Sequence, residues 1–203
     1  VPAFKTVANS NGPVLGYAPQ SGIKIIQADG LNFKDLNKNG KLDPYEDWRL
    51  SVDVRAKDLA SKMALEQIAG LMLYSAHQSI PAAPRGFGAG TYNGKPLDSS
   101  GLKPFDLSDQ QKKFLKEDNL RHVLVTRVLS TEVAAKWNNN VQAFVEGLGL
   151  GIPANNSSDP RNAVVANAEY NLGAGGSISM WPESIGMAAT FDPALVLQFG
   201  NIA

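Results

Sequence analysis

The sequence predicts a parallel α/β fold whose sheet is incomplete. From residue 121 onward the chain runs strand, helix, strand, loop, strand, helix, the cadence of linked βα units. About three strands are recognisable, too few to close a barrel or to build a covered parallel sheet with a core of its own. The stretch from Gly147 to Pro193 organises this half, because Gly147, Gly149 and Gly151 end one helix and Ile152-Pro153-Ala154 opens an extended segment. That segment breaks into Asn155-Asn156-Ser157-Ser158-Asp159-Pro160, so an Asp stands in a loop beyond a strand. Asp159 is therefore a candidate functional residue. The plain alternative is an Asp before Pro that starts a turn.

Residues 1 to about 30 mix Pro2, Pro13 and Pro19 with Gly12, Gly16, Gly22 and short runs such as Ile23-Lys24-Ile25-Ile26, which predicts an irregular arm with one or two short strands. From Ser51 the spacing of Val52, Ala56, Leu59 and Met63 predicts an amphipathic helix. Leu65–Tyr74 reads as a short helix running into an apolar strand. Ser75–Ser108 reads as a long Gly/Pro/Ser-rich excursion lining a cleft, with a lone His77 in it. Its Gly86, Gly88 and Gly90 are not a phosphate loop, since the required Lys and Ser/Thr are missing. Ser108–Asp118 is a polar helix, Arg121–Val128 a β-branched buried strand, and Ser130-Thr131 caps a helix with Val133, Trp137, Val141, Phe144, Val145 and Leu148 on one face. Trp137 is read as core. Gly176–Met180 is a further short strand, and Glu183 and Asp192 are helix-start residues.

Composition narrows the function. Nineteen Lys and Arg balance nineteen Asp and Glu, so no field attracts nucleic acid or an anionic membrane, and neither is expected as a partner. There is no cysteine, which excludes thiolate catalysis and Cys-ligated zinc. No apolar run approaches the ~20 residues of a membrane helix.

One local motif is specific. Asp35-Leu36-Asn37-Lys38-Asn39-Gly40-Lys41-Leu42-Asp43-Pro44-Tyr45-Glu46 matches an EF-hand calcium loop: Asp35, Asn37 and Asn39 stand at positions one, three and five, and Gly40 makes the turn at six. Lys41 offers its carbonyl at seven, Asp43 stands at nine, and Glu46 is the closing carboxylate. All six donors are hard oxygens, as Ca²⁺ requires, and a structural role is expected.

Three further segments carry a resemblance. Leu65-Glu66-Gln67-Ile68-Ala69-Gly70-Leu71-Met72, Leu150-Gly151-Ile152-Pro153 with Asp159, and Trp181–Pro193 (WPESIGMAATFDP) are similar, in order, to segments of the N-terminal barrel of glycoside hydrolase family 3, the β-glucosidases and exo-glucanases. The resemblance implies a division into residues 1–50, an arm with the calcium loop, and 51–203, the first part of a (β/α)₈ TIM-type barrel that needs ~250 residues in all. It implies a retaining exo-enzyme, exported to the periplasm or medium of a bacterium, that cleaves terminal β-linked glucose from a glucoside or oligosaccharide. The family's nucleophile and acid/base motifs do not occur in this chain, so no catalytic residue is assigned, and they are expected on the remainder of the same enzyme as a missing segment or second chain. Asp159 maps onto the family's sugar-binding Asp, although Pro160-Arg161-Asn162 stands where many members have His-Gly. A calcium-stabilised carbohydrate-binding or scaffold module without chemistry is the alternative. Asn155–Ser158 holds glycosylation sequons, meaningful only in a eukaryotic secretory host.

Overall fold

The computed structural model describes residues 4–86, 88–158 and 181–202. The arm is more regular than its sequence predicts. It folds as two antiparallel hairpins, β1 (Lys5–Val7) with β2 (Leu15–Tyr17) and β3 (Lys24–Ala28) with β4 (Leu31–Asp35). The second turns on Asp29-Gly30, both at positive φ, the pair that a right-twisted two-residue hairpin favours. Asn9 joins the hairpins, accepting from Asn32 N at 2.7 Å and donating to Pro13 O at 3.0 Å. Phe33 is fully buried beneath Trp48, its ring stacked at 5.4 Å, with the Arg49 guanidinium 4.9 Å from the same ring centre.

Two helices follow, α1 (Val52–Lys62), capped by Ser51, and α2 (Leu65–Leu71). The amphipathic reading of α1 holds for the helix but not for its face: no α1 residue is buried, and Val52 is 75% exposed. Its polar side is the one held instead. Asp58 accepts from Tyr45 N at 3.0 Å and Arg55 Nε donates to Tyr45 O at 3.1 Å, fixing α1 to the arm.

The remaining elements are β5 (Gln78–Ile80), α3 (Leu97–Ser100), α4 (Asp109–Lys116), β6 (His122–Val128), α5 (Thr131–Glu146), β7 (Asn155–Ser158) and the helices Ser184–Ala188 and Pro193–Ile202. β5, β6 and β7 form a parallel sheet in that order. Two strands differ from the sequence reading. β5 lies inside the stretch read as a loop, whereas the apolar Leu71–Tyr74 contributes only an isolated bridge, Tyr74 to His122. β7 starts at Asn155, past the extended Ile152–Ala154. Both are polar strands, ordered because the apolar β6 between them offers ladder hydrogen bonds on both edges. The strand read at Gly176–Met180 lies outside the described residues.

α4 and α5 cover one face of the sheet. Ile80, Leu107, Leu115, Leu120, Val123, Trp137, Val141 and Val145 form the core, each buried side chain contributing roughly 1.5–3 kcal/mol. Its polar atoms are satisfied: Trp137 Nε1 donates to Gln111 Oε1 at 3.1 Å, and Gln111 Nε2 donates to Gln78 Oε1 at 3.3 Å. At the N-terminal edge of the sheet, Arg121 is buried. It donates to Leu115 O (2.6 Å) at the end of α4, Leu120 O (2.9 Å) and Ile152 O (3.0 Å) ahead of β7.

The arm is fastened to the far end of α5. Glu146 accepts from Ala18 N at 2.9 Å and pairs with Lys34 Nζ at 2.8 Å, Lys38 Nζ donates to Gly147 O at 2.9 Å, and Tyr45 Oη donates to Leu150 O at 3.3 Å.

Asp109, at the start of α4, pins the 91–94 turn by accepting from Thr91 Oγ1 (2.8 Å), Asn93 N (3.0 Å) and Gly94 N (2.8 Å). The Gly94 amide first, then Thr91 and Asn93, hold its carboxyl below the ordinary 3.8 against the opposing effect of burial. A depressed carboxyl stabilises the fold above its unfolded value and ceases to do so as pH falls through the folded one. Amide exchange at Asn93 and Gly94 is therefore expected to accelerate, relative to intrinsic rates, as pH falls below about 4, and no such acceleration is expected in Asp109→Asn.

Candidate functional site

In parallel α/β sheets, ligands bind beyond the carboxyl ends of the strands, where the loops converge. At that edge, β5 and β6 border an open cavity of about 460 Å³ lined by Ser79, Ile80, Pro81, Ala82, Ala83, Pro84, Arg127, Val128 and Leu129. One wall is apolar and Arg127 supplies a cation. The 83–90 loop closes back along β5, with Ala83 N donating to Gly88 O at 3.0 Å and Gly90 N to Ala83 O at 2.9 Å. Tyr92 Oη accepts from Ala82 N at 2.8 Å and holds the start of that loop.

Asp159 is next in sequence after β7 and lies outside the described residues. Glu183 and Asp192 take helix-start positions. Glu183 precedes Ser184–Ala188, and Asp192 Oδ1 accepts from Ala194 N (2.9 Å) and Leu195 N (3.2 Å). Among the described residues no carboxylate lines the cavity. Arg127 escaped the sequence reading because a charged residue at the end of a strand is also what a solvated edge looks like.

The acidic loop forms a second candidate site. Lys38 and Gly40 adopt positive φ, and the chain curls so that Glu46 closes it, Oε1 accepting from Leu36 N (2.7 Å) and Asn37 N (3.2 Å), Oε2 from Asp43 N (3.0 Å). Asp35 is 1% exposed, and its Oδ2 accepts from Gly40 N at 3.0 Å. Asp43 Oδ2 accepts from Asn37 Nδ2 (2.7 Å) and Asn39 Nδ2 (2.6 Å), while Lys62 Nζ lies 3.3 Å from Asp43 Oδ1. Burial raises the Asp43 pKa, but the hydrogen bonds from Asn37, Asn39 and Lys62 outweigh it and leave the carboxyl below 3.8. Among the described residues no three acidic, histidine or cysteine side chains are gathered as a metal centre, Asp35, Asp43 and Glu46 included. Lys62 has no local sequence signal tying it to the loop.

The described residues form a mixed α/β unit with a cavity at the carboxyl edge of its parallel sheet. The named relatives are carbohydrate hydrolases. The chain is 38% identical over 183 residues to a periplasmic beta-glucosidase/beta-xylosidase of Dickeya chrysanthemi, covering 89% of this chain and 25% of that protein. It is 30% identical over 173 residues to beta-glucosidase C of Emericella nidulans (85% and 25%) and 28% over 167 residues to probable beta-glucosidase C of Aspergillus oryzae (82% and 24%). The chain thus spans about a quarter of the length of these relatives. No family model matches. The similarities support the relationship to glycoside hydrolase family 3 that the three ordered segments carry. Among the described residues no helix is long and apolar enough to cross a membrane.

Proposed function

We propose that this chain is the N-terminal part of a retaining, exo-acting β-glycosidase of the periplasm or the extracellular medium, which releases terminal β-D-glucosyl residues. The observation that carries the reading is 38% identity across 89% of the chain to a β-glucosidase/β-xylosidase, with the three-stranded parallel sheet in support. In this reading, β5, β6 and β7 are the first staves of a (β/α)₈ barrel whose remaining staves lie in further polypeptide. That polypeptide covers the apolar side chains now facing outward, among them Val52, Leu65, Met72, Ile185 and Phe191. It also supplies the attacking carboxylate and the acid that protonates the leaving oxygen.

The part played by this chain is binding. Asp159, beyond β7, accepts hydrogen bonds from hydroxyls of the non-reducing sugar, and the cavity between β5 and β6 borders the same edge. In the full-length protein, Asp159→Asn is expected to lower kcat/KM on an aryl β-glucoside about 30-fold, the equivalent of ~2 kcal/mol for hydrogen bonds to a charged acceptor. Product analysis by NMR is expected to show the β-anomer first. Wild-type full-length protein that releases no sugar from aryl β-glucosides, β-xylosides or β-linked oligosaccharides would overturn the assignment.

A further inference from the structure

The geometry points to Asp35–Glu46 as a calcium site and to Lys62, on α1, as the internal cation that competes for it. Three observations carry this, independent of what the sheet does.

The first is an unbalanced buried charge. Asp35 is 1% exposed, and its Oδ1 has no hydrogen-bond partner although Oδ2 is held by Gly40 N inside the loop. A carboxylate oxygen that is both desolvated and unpaired is costly unless a cation faces it. Among the described residues no basic side chain pairs with Asp35 or Glu46. Of the three loop carboxylates, Asp35, Asp43 and Glu46, only Asp43 has an ammonium beside it among the described residues, Lys62, which is itself shared with Asp58 at 2.6 Å.

The second is the crowding of donors on Asp43. Two amide nitrogens approach one of its oxygens and Lys62 approaches the other, so positive ends of side chains collect where the loop spacing calls for a cation. Asn37 and Asn39 each carry a carbonyl oxygen on the same group, so the residues that neutralise Asp43 here can also serve as ligands. The donor set is Asp35, Asn37, Asn39, Asp43 and Glu46 side chains with the Lys41 carbonyl. It is all oxygen, without the His or Cys that zinc favours, and a twelve-residue loop ending in Glu suits Ca²⁺ over the smaller Mg²⁺.

The third is where Lys62 comes from. It is the last residue of α1, whose apolar face is uncovered and whose grip on the arm runs through Asp58, Arg55 and Tyr45. Lys62 already offsets part of the Asp43 charge that a calcium ion would meet, and metal binding shifts Lys62 toward Asp58. Lys62 therefore sets the affinity of the loop, at a cost in binding that a neutral side chain removes.

The test is calorimetric titration of Ca²⁺, and separately Mg²⁺, into chelator-treated full-length protein and into Asp35→Asn, Asn39→Ala and Lys62→Met variants. Wild type is expected to take up one Ca²⁺ that Asp35→Asn does not, with Mg²⁺ weaker. Lys62→Met is expected to bind that Ca²⁺ about five-fold more tightly, as the loss of a partly exposed competing charge implies. Asn39 is exposed, so Asn39→Ala retains the fold even where Asp35→Asn does not, and it is expected to weaken binding about ten-fold. Binding unchanged by both Asp35→Asn and Asn39→Ala overturns the site. Binding that those variants weaken but Lys62→Met leaves unchanged or weakens overturns the competition.

Discussion

Replacing Arg121 with Met is expected to destabilise the protein by about 4 kcal/mol, although the side chains have similar length and the site is buried. Among the described residues Arg121 pairs with no carboxylate. Its donors serve three carbonyls, Leu115 O at the C-terminal end of α4, Leu120 O and Ile152 O, and its charge faces the negative end of a helix dipole. Met leaves those carbonyls desolvated and unpaired, each costing roughly 1–3 kcal/mol, against which the better burial of a thioether offsets only part. Burial lowers the Arg121 pKa, as desolvation does for any cation taken out of water. Arg121→Lys keeps the charge but not the planar fork, so it is expected to lose about half as much. Thermal unfolding of the full-length variants checks both, and a Met variant that melts with wild type would refute the role assigned to the guanidinium.

The second large effect is expected at Gly88. Its φ is +70°, and an added Cβ would lie 2.5 Å from Ser79 N, 3.0 Å from Ser79 Cβ and 3.1 Å from His77 O, on the strand that walls the cavity. Gly88→Ala therefore combines a left-handed backbone, roughly 1–2 kcal/mol, with a collision against main chain that cannot swing aside, roughly 1–3 kcal/mol. A total of about 3–4 kcal/mol is expected, with increased proteolysis of the 83–90 loop. Gly86 is the control, since it has φ +80° and nothing within 4 Å of an added Cβ, so Gly86→Ala is expected to show the conformational cost alone. Equal losses at the two glycines would remove the close approach to β5 from the explanation.

These residues also show what the sequence discloses. β6 and α5 are legible because β-branched alternation and a capped apolar stripe are local properties, and the core was read at Trp137 and Val141 for the same reason. β5 and β7 are not: Gln78-Ser79-Ile80 and Asn155–Ser158 have little strand propensity, and they pair because β6 lies between them. α1 is legible as a helix, but its apolar face, which the pattern predicts to be buried, is left uncovered among the described residues. The acidic loop is fully legible as a motif, since its donors fall within twelve consecutive positions. Lys62 and the orphaned oxygen of Asp35 are visible only in three dimensions. Arg121 illustrates the converse, a charged residue at the head of an apolar strand whose burial no local pattern announces.

The clasp between the arm and the end of α5 sets an order of events during synthesis. Its contacts join residues 128, 112 and 109 positions apart, at Ala18–Glu146, Lys34–Glu146 and Lys38–Gly147. The hairpins can form as soon as they emerge, but their docking site does not exist until α5 has left the ribosome, on the order of 5–25 s later at usual elongation rates. During that interval residues 1–50 have no docking surface on α5. Whatever steadies them then, a bound cation included, acts as a placeholder for a surface still being translated.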